Sequence, residues 1–162
     1  MAQPKVRLCA LAVVLLAMVP ASLSAHQIGT KKRIGLGIAS GNLINGFSPK
    51  YYFRRNLAVQ ANLGVWGQFD AVGASVDVLY TLPFRPALGS LGRLQFNLGG
   101  GAMFYLKNGE ANIPAVNLAA ELGLHLRGLP IEVIFGWRPQ YRFGIQTGDT
   151  PVGLGGALRF YL

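Results

Sequence analysis

The most constraining feature of this chain is an alternation of apolar with small or polar residues that recurs in eight stretches between residues 32 and 162. In residues 93–98, for example, Arg, Gln and Asn occupy every second position, with Leu or Phe between them. A period of two is typical of β-strands, whose successive side chains point to opposite faces. The pattern therefore predicts an all-β chain whose strands each have one apolar and one polar face.

Turn and loop signals rich in Gly, Pro, Asn and Asp separate the eight stretches. The second stretch has the weakest pattern, since Gly46 and Pro49 interrupt it. The stretches are about 8–12 residues long, close to the roughly 9–11 residues that a tilted strand needs to cross a bilayer. Their approximate bounds are 34–39, 44–53, 57–65, 72–82, 93–104, 116–126, 131–138 and 152–162.

The composition favours a membrane protein built from strands. Hydrophobic residues make up 51% of the 162-residue chain and charged residues only 13%, against about 25% charged residues in ordinary globular chains. After residue 25 no apolar run reaches the roughly 18 residues of a spanning helix. We therefore predict an eight-stranded antiparallel up-and-down transmembrane β-barrel, apolar outside and polar inside. A barrel of this size is filled by its own side chains, so its lumen is expected to be plugged.

The N-terminal segment has the features of a cleaved signal peptide. Lys5 and Arg7 precede an apolar run over residues 8–19, and Ala25 ends a small-residue cleavage site. The alternative is an uncleaved anchor helix. The predicted organisation is a signal peptide (1–25), a flexible lead (26–31) and the barrel (32–162). The sole cysteine, Cys9, lies in the signal peptide, so no disulfide is expected in the mature chain.

Charged residues within the predicted strands occupy the same alternate positions as the polar residues, so they lie on the polar face of each strand. A charge that faces lipid costs several kcal/mol, roughly 2–4 for Arg or Lys at the midplane, which explains this bias. Buried charges must be paired, so we predict a polar network in the lumen; an ion path is the alternative. The network is predicted to contain Asp77, Glu121, Glu132, Arg93, Arg138, Arg159, Gln95, Asn97 and His125.

Aromatic residues cluster towards the two ends of the strands, as expected for anchors at the two membrane interfaces. One girdle comprises Tyr51, Phe53, Tyr80, Phe84, Phe160 and Tyr161, and the other comprises Trp66, Phe69, Phe104, Tyr105, Trp137 and Tyr141. Strict alternation points Trp66 inward instead. The residues assigned as membrane-interface aromatics are Tyr51, Phe53, Tyr80, Phe84, Trp137, Tyr141 and Phe160.

The strand count, the chain length, the signal segment and the final strand GLGGALRFYL together resemble the small OmpA/OmpX-type outer-membrane barrels of Gram-negative bacteria. The resemblance is architectural and covers residues 32–162. It implies a location in the cell outer membrane with periplasmic termini, and loops near Gly41, Gln68, Asn108 and Gly148 on the outside. The family's last strand usually ends in an aromatic residue, whereas this chain ends in Leu162 after Tyr161.

The same resemblance implies partners: outer-membrane lipid and lipopolysaccharide, and the barrel-insertion machinery through the C-terminal strand. A monomer is expected. The formal charge of +9 comes from basic residues that sit singly or in pairs at turns, which favours contact with anionic lipid headgroups or lipopolysaccharide phosphates. Nucleic acid is not expected to bind, because no helix or aromatic platform gathers these cations.

The sequence offers no catalytic constellation, metal site or cofactor site. His125 stands without cysteine or a second suitably spaced histidine, and a base in a lipid-hydrolysing barrel is its alternative role. Ser75 lies on the lumen phase, away from the outer rim where such an enzyme would act. The predicted function is a non-enzymatic barrel with a structural or surface-interaction role. The alternatives are a soluble exported lipocalin-like barrel that binds an apolar ligand, or a lipid-modifying outer-membrane enzyme.

Overall fold

The structure is a computed structural model that describes residues 32–41, 44–66, 71–107, 113–143 and 152–162. The predicted signal peptide (1–25), the lead (26–31), Phe69 and the loops near Gln68, Asn108 and Gly148 lie outside the described residues, as does the side chain of Trp66.

Every regular element in the described ranges is a β-strand, as the alternating pattern predicts. The strands follow the eight predicted stretches, and the fifth and seventh extend several residues further than expected. They are β1 (Ile34–Gly41), β2 (Ile44–Phe47), β3 (Lys50–Arg54), β4 (Leu57–Trp66), β5 (Ala71–Thr81), β6 (Ala87–Leu88), β7 (Gly92–Lys107), β8 (Ile113–Leu126), β9 (Ile131–Arg142) and β10 (Val152–Tyr161).

The strands form one closed barrel. All pairings are antiparallel: β4 pairs with β5, β5 with β7, β7 with β8, β8 with β9 and β9 with β10. β10 returns to pair with β1 from Gly35↔Tyr161 to Gly41↔Gly155. β2 and β3 together occupy one strand position in the wall, since each pairs with β1 on one side and with β4 on the other. The two-residue β6 pairs only with β7. The predicted all-β, eight-stranded antiparallel barrel is therefore confirmed.

The interruption between β2 and β3 explains why the second stretch has the weakest pattern. Pro49 has no N–H to give to a sheet ladder. The chain stays in the wall because Ser48 N donates to Gly37 O at 2.8 Å and Ala61 N donates to Pro49 O at 2.9 Å. The alternation survives the break, so Ser48 and Lys50 both point inward and are buried.

The barrel buries its polar side chains and exposes its apolar ones. Among the described residues, fifteen polar or charged ones are buried against twelve hydrophobic ones, while 27 large hydrophobic residues are exposed. Along β5 the exposed fractions of Val72, Val76 and Val78 are 56%, 53% and 51%, whereas Asp77 between them is fully buried. This is the inverse of a water-soluble domain, whose core is apolar.

Both ends of the barrel interior are filled by apolar and aromatic side chains. We call the end where β1 begins and β10 finishes the terminus end, and the opposite end the far end. Tyr52, Ala58 and Tyr161 pack together near the terminus end. The cluster at the far end consists of Ile44, Met103, Tyr105 and Ala115.

Tyr105 and Tyr161 correct the prediction that they belong to the aromatic girdles. Both side chains are fully buried inside the barrel. Their hydroxyls donate to Gln140 Oε1 and to Glu132 Oε2, each at 2.6 Å. Both residues occupy inward-pointing positions of their strands. Their side chains therefore point into the barrel, although the residues lie near strand ends.

The described residues contain no helix long and apolar enough to cross a membrane.

Gly101 lies where two strands approach too closely for a side chain. A Cβ at this position would lie 1.9 Å from Val76 O and 2.7 Å from Asp77 Oδ1. We expect Gly101→Ala to lower the free energy of unfolding by about 1–3 kcal/mol, as overpacking does. Urea titration of the folded barrel measures this.

The matched control is Gly136→Ala, also on an inward position, where the added Cβ would lie 3.4 Å from Arg138 Nη1, an ordinary contact. Equal stabilities of the two variants would contradict the close packing between β5 and β7.

Candidate functional site

The barrel interior contains a cluster of titratable side chains contributed by β3, β5, β8, β9 and β10. Three are acidic and three are the basic side chains of Lys50, Arg138 and Arg159, so their formal charges cancel. Because charges buried without partners are strongly unfavourable, this balance is a condition for folding. We call the cluster the interior network; it consists of Lys50, Asp77, Glu121, His125, Glu132, Arg138 and Arg159.

Glu132 is the hub of the network near the terminus end. Its carboxylate lies 3.5 Å from Lys50 Nζ and 3.5 Å from Arg159 Nη1. It also lies 3.2 Å from His125 Nε2 and accepts a hydrogen bond from the Tyr161 hydroxyl at 2.6 Å. Four partners from β3, β8 and β10 therefore converge on one fully buried side chain.

Glu121 is a second hub deeper in the barrel. It forms an ion pair with Arg138 and lies 3.6 Å from Lys50 Nζ, so Lys50 bridges the two glutamates. Gln60 Nε2 donates to Glu121 Oε1 at 2.9 Å, and Asn97 Nδ2 donates to Oε2 at 3.4 Å. The carboxylate is thus bonded from both sides of the lumen.

Asp77 extends the network towards the far end. Its Oδ2 lies 3.3 Å from Arg138 Nε, and its Oδ1 accepts a hydrogen bond from Asn117 Nδ2 at 2.8 Å. Arg138 therefore joins Asp77 to Glu121 across the barrel. A single connected chain of charges runs from Asp77 to Arg159.

Amide and hydroxyl side chains around the network form hydrogen bonds with one another and with Arg159. Arg159 Nη2 donates to Ser48 Oγ at 2.8 Å, Ser48 Oγ donates to Asn62 Oδ1 at 2.7 Å, and Asn62 Nδ2 donates to Ser75 Oγ at 2.9 Å. This relay crosses from β10 to β5. A second group near the terminus end links Gln95 Nε2 to the Tyr52 hydroxyl at 2.6 Å and to Asn97 Oδ1 at 3.0 Å.

Most of the residues that the sequence assigns to the lumen lie in the barrel interior and contact one another. Arg138 is the least enclosed of these, with 12% of its side chain exposed. The buried ones are Asp77, Glu121, Glu132, Arg159, Gln95, Asn97 and His125.

Arg93 was assigned to the lumen network and differs from the other assigned residues in being exposed, although it lies opposite His125 in the register of β7 with β8. It is the second residue of β7, at the terminus end, and it is exposed. Its position on the inward phase predicts which face it belongs to, but the phase says nothing about depth along the barrel axis.

Lys50 is the functional side chain that sequence reasoning missed. It lies in the weakest of the eight predicted stretches, directly after Pro49, and was not assigned to the lumen. The signal was present nevertheless: Tyr51 and Phe53 were assigned outward, and alternation then points Lys50 and Tyr52 inward.

The assigned interface aromatics lie on the outer surface of the barrel. Phe160 is half-buried, and the others have exposed fractions of 40–66%. Phe84 stacks on Phe96 with ring centroids 6.3 Å apart, so the connection between β5 and β7 folds back on the wall. The exposed ones are Tyr51, Phe53, Tyr80, Phe84, Trp137 and Tyr141.

A small pocket opens among β1, β4, β5 and β10 towards the far end. Asn62, Ser75 and Arg138 contribute polar groups to its lining, and its volume of about 20 Å³ is room for roughly one water molecule. Elsewhere in the lumen the charged side chains pair with one another across the barrel. This packing favours the structural interpretation of the charges over an ion path.

We therefore expect no large, stable single-channel currents from the protein reconstituted in planar bilayers. Ions would have to displace Lys50 and Arg138 from their carboxylate partners to pass. Conductance of the size shown by open porins would contradict a plugged interior.

The histidine and serine side chains that could act in catalysis are hydrogen-bonded within the barrel interior. His125 hydrogen-bonds Glu132, while Ser48 and Ser75 bond Asn62. Among the described serines none is a hydrogen-bond partner of His125. In the same part of the chain, no three His, Cys, Asp or Glu side chains are placed to hold a metal ion.

Comparison of the chain with protein-family models, with characterised proteins and with solved structures finds no match. The fold and the interior define a structural class: a small, closed, eight-stranded antiparallel β-barrel with a charged and amide-rich interior.

Proposed function

We propose that the mature chain is a non-enzymatic barrel of the Gram-negative outer membrane, with a structural or surface-interaction role. One observation carries this proposal. The outward faces of the strands present exposed Leu, Val, Ile and Phe, while the charges within the barrel wall point inward. Only a surrounding apolar phase makes that distribution favourable, and a closed barrel satisfies all its backbone groups in such a phase.

The exposed apolar surface surrounds the barrel. Exposed large hydrophobic residues occur on β1, β2, β3, β4, β5, β7, β8, β9 and β10. Monomeric soluble proteins rarely expose contiguous apolar patches above a few hundred Å². A docking site for one partner would occupy one side, whereas lipid hydrocarbon covers the whole circumference.

The filled interior supports a structural role. The interior network bonds side chains from strands that are not neighbours in the wall, for example Lys50 of β3 with Glu132 of β9. Such bonds hold opposite sides of the barrel together. The buried side chains of the lumen include charges and amides, unlike the apolar lining of a lipocalin-like cavity, and His125 is engaged by Glu132.

The location and partners follow from the same proposal. Termini in the periplasm, a monomeric state, surrounding outer-membrane lipid and lipopolysaccharide, and delivery by the barrel-insertion machinery are what the OmpA/OmpX-type resemblance implies. The barrel-insertion machinery would contact β10, the C-terminal strand. In β10, Leu154 and Phe160 face outward and Tyr161 faces inward.

Fractionation of expressing cells tests the proposal. We expect the mature chain in the outer-membrane fraction, extracted only by detergent, with faster migration on a detergent gel before heating than after. Release by osmotic shock without detergent would overturn it. A change in the cell's lipid A or phospholipid profile that depends on His125 would overturn the non-enzymatic part alone.

A further inference from the structure

The surface of the terminus end is basic and carries none of the described acids. All three described acids, Asp77, Glu121 and Glu132, are buried in the interior network. Seven cations lie at this end, and five of them are exposed. We call them the basic ring: Lys32, Arg33, Arg54, Arg55, Arg85, Arg93 and Arg127.

These cations surround the barrel axis. Lys32 and Arg33 precede β1, Arg54 and Arg55 lie at the turn from β3 to β4, and Arg127 lies at the turn from β8 to β9. The remaining two, Arg85 and Arg93, belong to the connection from β5 to β7 and to the start of β7. Every place where the chain enters or turns at this end therefore carries at least one cation.

Exposed aromatic residues lie between the basic ring and the apolar wall. Phe53 immediately precedes Arg54, and Phe84 immediately precedes Arg85; both rings are exposed. Tyr80 adds a third exposed ring beside the last residue of β5. The order from the barrel middle outward is aliphatic, aromatic, then cationic, which matches hydrocarbon, interface and headgroup in a lipid leaflet.

We propose that the basic ring binds the headgroups of anionic phospholipids in the leaflet at the terminus end. This inference rests on the proposed membrane location and adds the lipid class and the side. A ring on the whole circumference fits a planar surface better than a protein or nucleic acid that docks from one side. Arg85 Nη2 donates to Arg55 O at 3.5 Å and Arg93 lies near Arg85, while the other cations are spaced singly or in pairs around the barrel. Cations on every side of the barrel can attract singly charged phosphodiesters all round it.

At the far end, β7 ends at Lys107 and β9 ends at Arg142. The sequence left anionic lipid headgroups and lipopolysaccharide phosphates open as ligands. At the terminus end phospholipid is favoured, because the cations surround the barrel and are not all gathered at one site for a sugar that bears several phosphates.

The test uses spin-labelled lipids around the full mature chain reconstituted in phosphatidylcholine vesicles. At 0.1 M NaCl we expect labelled phosphatidylglycerol to associate with the barrel roughly threefold more strongly than labelled phosphatidylcholine, through attraction to surface cations. Arg54→Gln, Arg55→Gln and Arg127→Gln combined remove three of the seven cations of the basic ring and should lower this ratio clearly. The three Lys substitutions at the same positions should retain it.

Salt provides a second measurement that needs no variant. In 1 M NaCl the screening length falls to roughly 3 Å, and the selectivity of the unaltered protein should disappear. A ratio near one in the unaltered protein, a ratio unchanged by the Gln substitutions, or stronger binding of lipid A that survives them would each overturn the inference. The heat-modifiable barrel would persist in those cases, whereas failure to enter any vesicle would overturn the proposed function as well.

Discussion

Val76→Arg is expected to destabilise the barrel in a bilayer by about 2–4 kcal/mol, the range for Arg or Lys on a lipid-facing strand at mid-membrane. Val76 lies in the middle of β5 and is 53% exposed. Its strand neighbours Ala61 and Ala102 are small, so a longer side chain meets no steric obstacle. Unfolding by urea in phospholipid vesicles measures the loss.

The control is Leu91→Arg in the connection at the terminus end, where the leucine is 63% exposed. There the new charge meets water or headgroups, and a change of about 0–1 kcal/mol is expected. If Val76→Arg also stayed within roughly 0.5 kcal/mol, as for an ordinary surface position, the outer face would be in contact with water.

Glu132→Gln is expected to lower the free energy of unfolding by about 3–5 kcal/mol, because removal of one partner leaves buried charge uncompensated. The substitution keeps the size of the side chain but removes the negative charge shared by Lys50 and Arg159. The interior network would then hold three cations against two acids. Equilibrium unfolding of the purified barrel checks this result.

Removing the opposite charge as well should recover part of that stability. Lys50→Met combined with Glu132→Gln restores the balance of formal charges, and the double variant should be more stable than the sum of the single losses predicts. Strict additivity would contradict direct coupling across the lumen.

Alternation in the sequence was sufficient to predict the β-strands and the inward or outward face of most described strand residues. A strand with a period of two fixes its own inward and outward sets, whatever its neighbours are. The prediction for β5, with Asp77 inside and valines outside, therefore needed no knowledge of pairing. Even the interrupted unit of β2 and β3 was placed as one strand.

Position along the barrel axis and partner choice could not be predicted in this way. Arg93 and Gln95 share a phase, yet Arg93 is exposed at the terminus end and Gln95 is buried. The contact of Lys50 with Glu132 depends on which strands face each other across the lumen. Register and closure set that geometry, and neither is written in a local pattern.

The central claim is that hydrocarbon contacts the outer face of the barrel wall. Nitroxide labels on single cysteines along β5, in a chain with Cys9 replaced by Ser, test it most directly after reconstitution. At Val72, Val76 and Val78 we predict high accessibility to oxygen and low accessibility to a water-soluble nickel reagent, with both low at Ser75 and Leu79. High nickel accessibility at the three valine positions would contradict the account.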